Sequence, residues 1–312
     1  MRVIRHLPRL TAPLERVVLT LGNFDGVHRG HQAIIAAARS KAKALGGQVV
    51  VLTFHPHPLG VLAPDRAPAM IQSLHDRLLT LRDVGVDVAV AQRFTRAFAT
   101  LESDAFVERF LMPSLEIVHV VVGYNVSFGR GRTGTAATLA SLGARLGFGT
   151  ETVGSVQVGD VVVSSSAIRD AVLAGDVARA RTLLGRPYRL RGRVVVGEQR
   201  GRTLGFPTAN LHVSPRVAVP AHGVYAVYLH TDGVARPAAV NIGVRPTFGE
   251  ARRTIEAHVL DWSGDLYGRW VDLEFVARLR GEQRFDGPVA LREAIANDVA
   301  HARRVLVDPS RP

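Results

Sequence analysis

The stretch LGNFDGVHRGHQ combines residue types that could carry chemistry with residue types that shape tight turns. Its two histidines, His28 and His31, stand three positions apart and would share one face of a helix. Two ligands are too few for a secure zinc site, and the HExxH pattern is missing. The three glycines would instead allow a strand-to-helix turn whose backbone comes close to a ligand. On these residues alone, a metal site and a phosphate site both remain open, and the glycines favour phosphate.

A helix beginning near His28 would direct its free N–H groups and its positive dipole end at a bound phosphate. This is not the Walker arrangement, because the only lysines, Lys41 and Lys43, do not follow a glycine. The two imidazoles could add hydrogen-bond donors. In HxGH they would stabilise negative charge on the α- to γ-phosphates as pyrophosphate leaves.

A second chemical stretch, GRVVVGEQRGRTLGFPTANL, lies in the other half of the chain. Thr208 and Asn210 are two positions apart, so on a strand both side-chain oxygens would face the same way. Neutral oxygens of this kind could join phosphate oxygens around Mg²⁺. The glycines would let a loop fold over a nucleotide, with a bulged hairpin as the less favoured alternative.

The elements that must position the first stretch alternate in type along residues 1–185. Buried β-branched runs alternate with Ala/Leu-rich helical spacing, which predicts an α/β domain with a parallel sheet. The strands are predicted at 17–21, 49–54, 87–91 and 117–123. The helices are predicted at 33–45, 73–84 and 103–112, with Ser103 as the cap of the last, and as two short helices around Gly175 that close the first domain.

Residues 186–312 change to strands separated by Gly and Pro, which predicts a second domain built as an antiparallel barrel or sandwich. The strands are predicted at 189–197, 223–230, 236–243, 254–262 and 270–280. A final helix is predicted from Pro288 to about Val307, with Asp286 near its cap.

The composition limits the choice of partners and compartment. The 312 residues contain no cysteine, which excludes disulfides, thiolate nucleophiles and Cys-type metal sites. The net charge of +12 is almost all arginine, which indicates either a polyanionic partner such as nucleic acid or nucleotides, or codon bias at the surface. No run of basic residues exceeds two, which weakens the case for nucleic acid, and we expect no nucleic-acid partner. With neither a membrane-length apolar run nor a signal peptide, we expect a cytoplasmic protein without a membrane partner. A homo-oligomer remains open.

The segment GNFDGVHRGH is similar to the GxFDGxHxGH signature of the class I nucleotidyltransferase superfamily, in the form found in bacterial FAD synthetases. Three later segments resemble that family in the same order: TFHPHP, VGYNVSFGRGRTG and SSSAIRDAV. Taken singly, the first and the last could be a Pro-stiffened strand exit and a capped helix.

The resemblance implies a role for each matching residue of the first half. His28 and His31 would be catalytic. The ATP-binding residues would be Gly22, Phe24, Asp25, Gly26, His28, Gly30, His31, Ser164, Ser165, Ser166 and Arg169. The flavin side would consist of Phe54, His57, Pro58, Asn125 and Phe128.

The segment GEQRGRTLGFPTAN is similar to the GxxxGRxLGFPTAN signature of riboflavin kinases, and matches follow at 223–227, 241–249, 255–268 and 279–285. By this resemblance Glu256 would be the catalytic base; without it, Glu256 reads as a solvated strand residue. ATP would be bound by Gly197, Arg202, Thr208, Val259, Asp261 and Tyr267. The flavin would contact Arg280, Gln283 and Phe285, and Thr208 and Asn210 would hold Mg²⁺.

Together these matches resemble the bacterial bifunctional riboflavin kinase/FMN adenylyltransferase family across nearly the whole chain. The resemblance implies that riboflavin and ATP give FMN, and that FMN and a second ATP give FAD and pyrophosphate, both with Mg²⁺. One alternative is a single-activity enzyme whose other half is a flavin-binding regulatory module. Another is a basic nucleic-acid-binding protein that uses the β barrel.

Overall fold

The computed structural model describes residues 1–197, 205–246 and 251–307. The chain divides into two compact units. The first contains Met1–Pro68 and Ser73–Ser165, and the second contains Ala69–Gln72 and the described residues from Ser166 onward. The compact units separate between Ser165 and Ser166, whereas the sequence places the domain boundary at 185. The extent of each functional domain remains a prediction.

The first unit is built on a six-stranded sheet, parallel throughout, in the order β1-β4-β3-β2-β5-β6. Its strands are β1 (Arg2–Arg5), β2 (Leu14–Leu21), β3 (Gln48–His55), β4 (Val88–Arg93), β5 (Leu115–Gly123) and β6 (Gly149–Val153). The central strands are almost continuously apolar and buried, as expected for a parallel sheet covered on both faces. The predicted α/β class is confirmed.

Helices connect these strands. They are α1 (Arg29–Leu45), α2 (Pro58–Leu62), α3 (Leu74–Asp83), α4 (Ser103–Ala105) and α5 (Ala136–Leu146), with a π-helix at Phe106–Leu111. The prediction that Ser103 caps a helix is wrong: Glu102 is the N-cap, and the Ser103 hydroxyl bonds to Asp104 at 3.3 Å. A short hairpin follows, made of β7 (Gln157–Val158) and β8 (Val161–Val162).

Two helices precede the barrel, α6 (Ser165–Ala174) and α7 (Val177–Leu184). They are separated by Gly175 at φ 77°, as predicted. The buried side chains of α7 are Val177, Ala180, Leu183 and Leu184.

The described strands of the second unit form a closed antiparallel barrel in the order β10-β13-β12-β11-β14-β9. They are β9 (Tyr188–Val195), β10 (Ala209–His212), β11 (Gly223–Thr231), β12 (Val234–Pro246), β13 (Ala251–Val259) and β14 (Trp270–Arg280). Helix α8 (Pro288–Val307) packs against β11, β12 and β14, and its bounds agree with the prediction. None of the described helices is both long and apolar enough to cross a membrane.

Candidate active sites

The turn between β2 and α1 carries the first candidate site in a strained backbone. Gly26 has φ 84°, and Phe24 and Val27 adopt left-handed φ values of 49° and 39°. Such values are costly for residues with a Cβ and persist only where the surroundings enforce them. Phe24 and Val27 are 1% and 0% exposed, so packing enforces this backbone.

Side chains from other elements also hold the main chain of this turn. They donate hydrogen bonds to three of its carbonyl oxygens. Thr53 donates to Asn23, Ser165 to Asp25 and Gln32 to Val27, each at 2.9 Å. A fixed backbone of this kind can present its N–H groups to a ligand without reorganising.

The two histidines meet at the start of α1. His28 is its N-cap: its Nδ1 accepts the His31 N–H at 3.3 Å, which leaves the proton of the neutral imidazole on Nε2. The two rings stack with centroids 3.6 Å apart. A Cβ on Gly30 would lie 3.2 Å from the His28 ring, so glycine makes room for the stacked pair. The pair therefore sits at the positive end of α1, with His28 Nε2 as a donor.

Arg77 of α3 is a buried cation that lies behind the turn. None of the sequence motifs includes it. It is 2% exposed, and its Nη1 donates to the Asn23 carbonyl at 2.8 Å and to the Thr53 hydroxyl at 3.1 Å. Burial lowers the pKa of its guanidinium, and the charge of Asp25 acts in the opposite direction. Its position three residues after Leu74 and four before Leu81, on the apolar face of α3, is the sequence signal that could have revealed it.

The SSSAIR motif lies where α6 begins. Ser165 is the first residue of α6, and its hydroxyl already donates to the Asp25 carbonyl. Ser166 is exposed, and Ser164 is half-buried. Arg169 donates to the Ala69 carbonyl at 2.6 Å.

The residues predicted for the flavin side line the end of β3 and a cluster of phenylalanines. Phe54 and Phe128 are joined through Phe98 and Phe106, with successive ring centroids 6.0, 6.0 and 5.6 Å apart. His57 caps α2 by accepting the Leu59 N–H at 3.2 Å.

The remaining flavin-side residues follow the ends of β3 and β5. Pro58 is the first residue of α2. Asn125 is exposed just after β5. The amide nitrogen of Asn23 lies 3.2 Å from His57 Nε2, so the turn and the flavin side are in contact.

The barrel brings three polar residues into one cross-strand row. Glu256 of β13 lies opposite Asn210 of β10 on one side and Asn241 of β12 on the other. Directly paired residues project to the same face of a sheet, so the carboxylate stands between two amides. Its neighbours Ile255 and Ala257 are buried, whereas Glu256 is only half-buried. Asn241 belongs to the row but was not singled out from the sequence.

A pocket at the barrel contains three of the residues predicted to bind ATP: Thr208, Val259 and Tyr267. Its other walls include Trp262 and Leu266, which gives it the largely apolar lining of a small-molecule site. Thr208 lies one residue before β10 and not within it, while Asn210 lies inside the strand.

The other predicted ATP residues of the barrel have different surroundings. Gly197 lies beside Asn210, whose amide fills the space that a Cβ would need. Asp261 forms a two-point ion pair with Arg303 of α8 at 2.6 and 2.9 Å, and this hydrogen bonding lowers the pKa of Asp261. Arg202 lies outside the described residues.

The structure brings together two of the three residues predicted to contact flavin in the barrel. Arg280 donates to both oxygens of Asp298 in α8, at 2.8 and 2.7 Å. Its guanidinium also lies 5.5 Å from the centre of the Phe285 ring. Gln283 is exposed in the segment between them.

The donor set around Asn210 suits Mg²⁺. Thr208 and Asn210 offer neutral oxygens, and the Glu256 carboxylate faces Asn210. Among the described residues, no group of three or more His, Asp or Glu side chains could hold a metal by itself. Mg²⁺ is commonly held by one or two protein oxygens together with substrate phosphates, so the residues present fit it.

Two family models match consecutive parts of the chain. FAD synthetase matches residues 11–167, and riboflavin kinase matches residues 184–306. The first match includes the turn with His28 and His31, and the second includes Glu256 and the pocket.

Relatives match over almost their full length. The bifunctional riboflavin kinase/FMN adenylyltransferase of Escherichia coli K12 is 40% identical, with 97% of each chain covered. The enzymes of the same description from Pseudomonas fluorescens and Bacillus subtilis are 41% and 37% identical, with 99% and 92% of each chain covered.

A solved structure from Streptococcus pneumoniae, described as a macrolide-efflux protein, superposes with a TM-score of 0.87 at 30% identity. It covers 97% of this chain and 99% of its own. That description belongs to the other protein, whereas the matched models and relatives agree with the motifs of both halves. The chain belongs to the family of bifunctional riboflavin kinase/FMN adenylyltransferases.

Proposed function

We propose that this chain phosphorylates riboflavin with ATP to give FMN, and then transfers AMP from a second ATP to FMN, giving FAD and pyrophosphate. The observation that carries the proposal is the presence of two different polar sites. One is a braced turn with a stacked histidine pair, and the other is a carboxylate between two asparagines beside a pocket. The first suits the stabilisation of phosphate charge, and the second suits proton removal.

In adenylyl transfer, a phosphate oxygen of FMN attacks the α-phosphorus of ATP, and the bond to pyrophosphate breaks. His28 and His31 donate hydrogen bonds to the phosphates at the N-terminus of α1, where negative charge grows as pyrophosphate leaves. The backbone of Gly22, Phe24, Asp25, Gly26 and Gly30 shapes the turn that receives ATP.

We assign the SSSAIR residues to the same triphosphate, with a division of roles. Ser164, Ser166 and Arg169 contact phosphate. Ser165 belongs to the site through its bond to the Asp25 carbonyl, which holds the turn. The flavin ring packs beside Phe54 and Phe128, with His57, Pro58 and Asn125 at its edge.

In the kinase step, Glu256 accepts the proton of the terminal ribityl hydroxyl while the hydroxyl oxygen attacks the γ-phosphorus of ATP and ADP leaves. Asn210 and Asn241 flank Glu256 on the neighbouring strands and orient its carboxylate. Arg280, Gln283 and Phe285 contact the flavin.

ATP of the kinase step occupies the pocket. Val259 and Tyr267 line it. Gly197, Arg202 and Asp261 keep the ATP-binding role that the sequence resemblance implies. Thr208 and Asn210 would hold Mg²⁺ together with the phosphates, and the ion would supply positive charge to neutralise them.

Incubating the purified chain with riboflavin, ATP and Mg²⁺, and then separating the products by chromatography, tests the proposal. We expect FMN to appear first and FAD to follow, with ADP and pyrophosphate as the second products. Accumulation of FMN without FAD would favour the single-activity alternative. A second incubation with FMN in place of riboflavin tests adenylyl transfer by itself.

A further inference from the structure

Arg77 connects the main chain on both sides of the adenylyltransferase site. Its Nη1 lies 2.8 Å from the carbonyl of Asn23 in the turn and 3.4 Å from the carbonyl of Phe54 at the end of β3. The first contact reaches the proposed ATP turn, and the second reaches the proposed flavin wall. At 2% exposure the guanidinium lies behind both and has no route to a substrate in solvent.

Asn23 extends this connection to a flavin-side side chain. Its carbonyl accepts hydrogen bonds from Arg77 and from Thr53, at 2.8 and 2.9 Å. Its amide nitrogen lies 3.2 Å from His57 Nε2. A shift of Asn23 therefore changes the spacing between the turn and the flavin side.

The energetics of Arg77 do not favour it for stability alone. A buried cation loses its hydration, and an apolar side chain of similar volume often packs at lower cost. Nε of Arg77 has no hydrogen-bond partner in the part of the chain that the structure describes. Arg77 does, however, hold the residue that precedes the left-handed Phe24, where the strained turn begins.

We propose that Arg77 is a positioning residue for adenylyl transfer, which sets the spacing between the ATP turn and the flavin wall through the carbonyls of Asn23 and Phe54. This inference rests on the proposed adenylyltransferase function. Small misalignment of reacting groups costs far more in rate than in binding, so Arg77 acts mainly on kcat.

The test compares Arg77→Met and Arg77→Lys in the full-length chain. Methionine keeps much of the volume without the hydrogen bonds, and lysine keeps the charge without the planar fork. For Arg77→Met we expect kcat of FMN adenylylation to fall by at least about tenfold, while KM for ATP and FMN changes by less than about threefold. We expect Arg77→Lys to be intermediate.

Two controls separate positioning from general damage. Riboflavin phosphorylation, measured on the same samples, should stay at the wild-type rate. Ile117→Val, in the buried part of β5, loosens the same sheet without touching the turn and should keep kcat of adenylylation.

The possible results distinguish a failure of the Arg77 inference from a failure of the proposed adenylyltransferase function. Wild-type kcat in folded Arg77→Met overturns the inference, and so does a loss no larger than that of Ile117→Val. If Arg77→Met does not fold by circular dichroism, Arg77→Lys replaces it, and a wild-type kcat there overturns the inference. Failure of the proposed function appears differently, as absence of FAD formation in the wild-type chain.

Discussion

Glu256 owes its candidate role to its position between two amides. Asn210 and Asn241 pair directly with Glu256 across the neighbouring strands, so all three side chains project to one face of the barrel, where the carboxylate can meet a substrate hydroxyl. General bases typically contribute about 10²- to 10⁴-fold to a rate. We therefore expect Glu256→Gln, which keeps the shape but cannot accept the proton, to lower FMN formation by at least about 100-fold.

The measurement is the initial rate of FMN formation from riboflavin, with adenylylation of supplied FMN as the second readout. Glu274→Gln is the matched control, because Glu274 is a carboxylate of the same barrel that pairs with Arg189 and His230 and is not a residue of the proposed kinase site. We expect it to keep both rates. Loss of both activities in Glu256→Gln would contradict the assignment of a local base.

His28 combines a structural and a chemical contribution that substitution can separate. As the N-cap of α1 it stabilises the helix, and a lost cap costs about 1 kcal/mol. Asparagine also caps helices well but has no imidazole. We expect His28→Asn to keep the unfolding midpoint near that of the wild type and to lower FAD formation from FMN by about 100-fold.

Ser73→Ala provides the opposite control. Ser73 caps α3 by accepting the Asp76 N–H at 3.2 Å, so its loss should reduce stability by about 1 kcal/mol and leave adenylylation intact. Thermal unfolding and the FMN-to-FAD rate are measured on both variants. A wild-type FAD rate in His28→Asn would refute the phosphate role of the histidine.

At the scale of elements, the pairing of β5 with β6 contains a pH-sensitive packing contact. His119 of β5 lies opposite Gly149 of β6, and its imidazole fills the space where a side chain on Gly149 would stand. Burial lowers the pKa of His119, nearby Lys41 lowers it further, and Glu151 acts in the opposite direction. The folded unit therefore favours the neutral imidazole.

The sign of the pH effect follows from this lowered pKa. Below the ordinary histidine pKa of about 6.5, the unfolded chain binds a proton that folded His119 resists, so stability falls as pH decreases through this window. We expect His119→Gln to lose less stability than the wild type between about pH 7.5 and 5.5. Denaturant unfolding at each pH measures the free energy of unfolding. His75→Gln, at an exposed histidine of α3, is the control. If the free energy of unfolding changed equally with pH in the wild type and in His119→Gln, the role of His119 would be contradicted.

The elements that the sequence predicts well are those whose own pattern determines them. β2, β3, β4 and β5 each contain a run of mostly apolar, buried residues, which few structures other than buried strands accommodate. β1 and β6 escape prediction because they are short edge strands with polar residues, and they form by pairing with β4 and β5. β10 is only four residues long and follows a segment punctuated by glycine and proline, so its own pattern does not predict a strand.

The site residues likewise divide into those that a local sequence pattern predicts and those whose contacts depend on the fold. The spacing of His28 and His31 and the triplet Thr208-Ala209-Asn210 are local patterns, so both are visible in the sequence itself. The partners of the turn are not local: Arg77 is 54 positions from Asn23, and Ser165 is 140 positions from Asp25. The SSSAIR motif indicates Ser165 and the apolar face of α3 marks Arg77, but only the fold shows that both residues hold the turn.

At the scale of the whole molecule, the arrangement of α7 determines how the chain can be divided for experiments. Helix α7 packs against β9 and β14, so its apolar face covers the barrel. Arg278 of β14 adds hydrogen bonds to the carbonyls of His222, at 2.8 Å, and Ala174, at 3.4 Å. A fragment that starts at 186 loses these helices, and one that starts at 166 keeps them.

We expect both fragments, 186–312 and 166–312, to phosphorylate riboflavin, because each keeps Glu256 and the pocket. The longer one should unfold at a higher temperature, since burying a large apolar side chain contributes roughly 1.5–3 kcal/mol and α7 buries Val177, Leu183 and Leu184. Thermal unfolding and the FMN-forming rate are the measurements. In the complementary experiment, fragment 1–185 should convert FMN to FAD and leave riboflavin unchanged. A folded 166–312 fragment that forms no FMN with ATP and Mg²⁺ would refute the assignment of the kinase to the barrel.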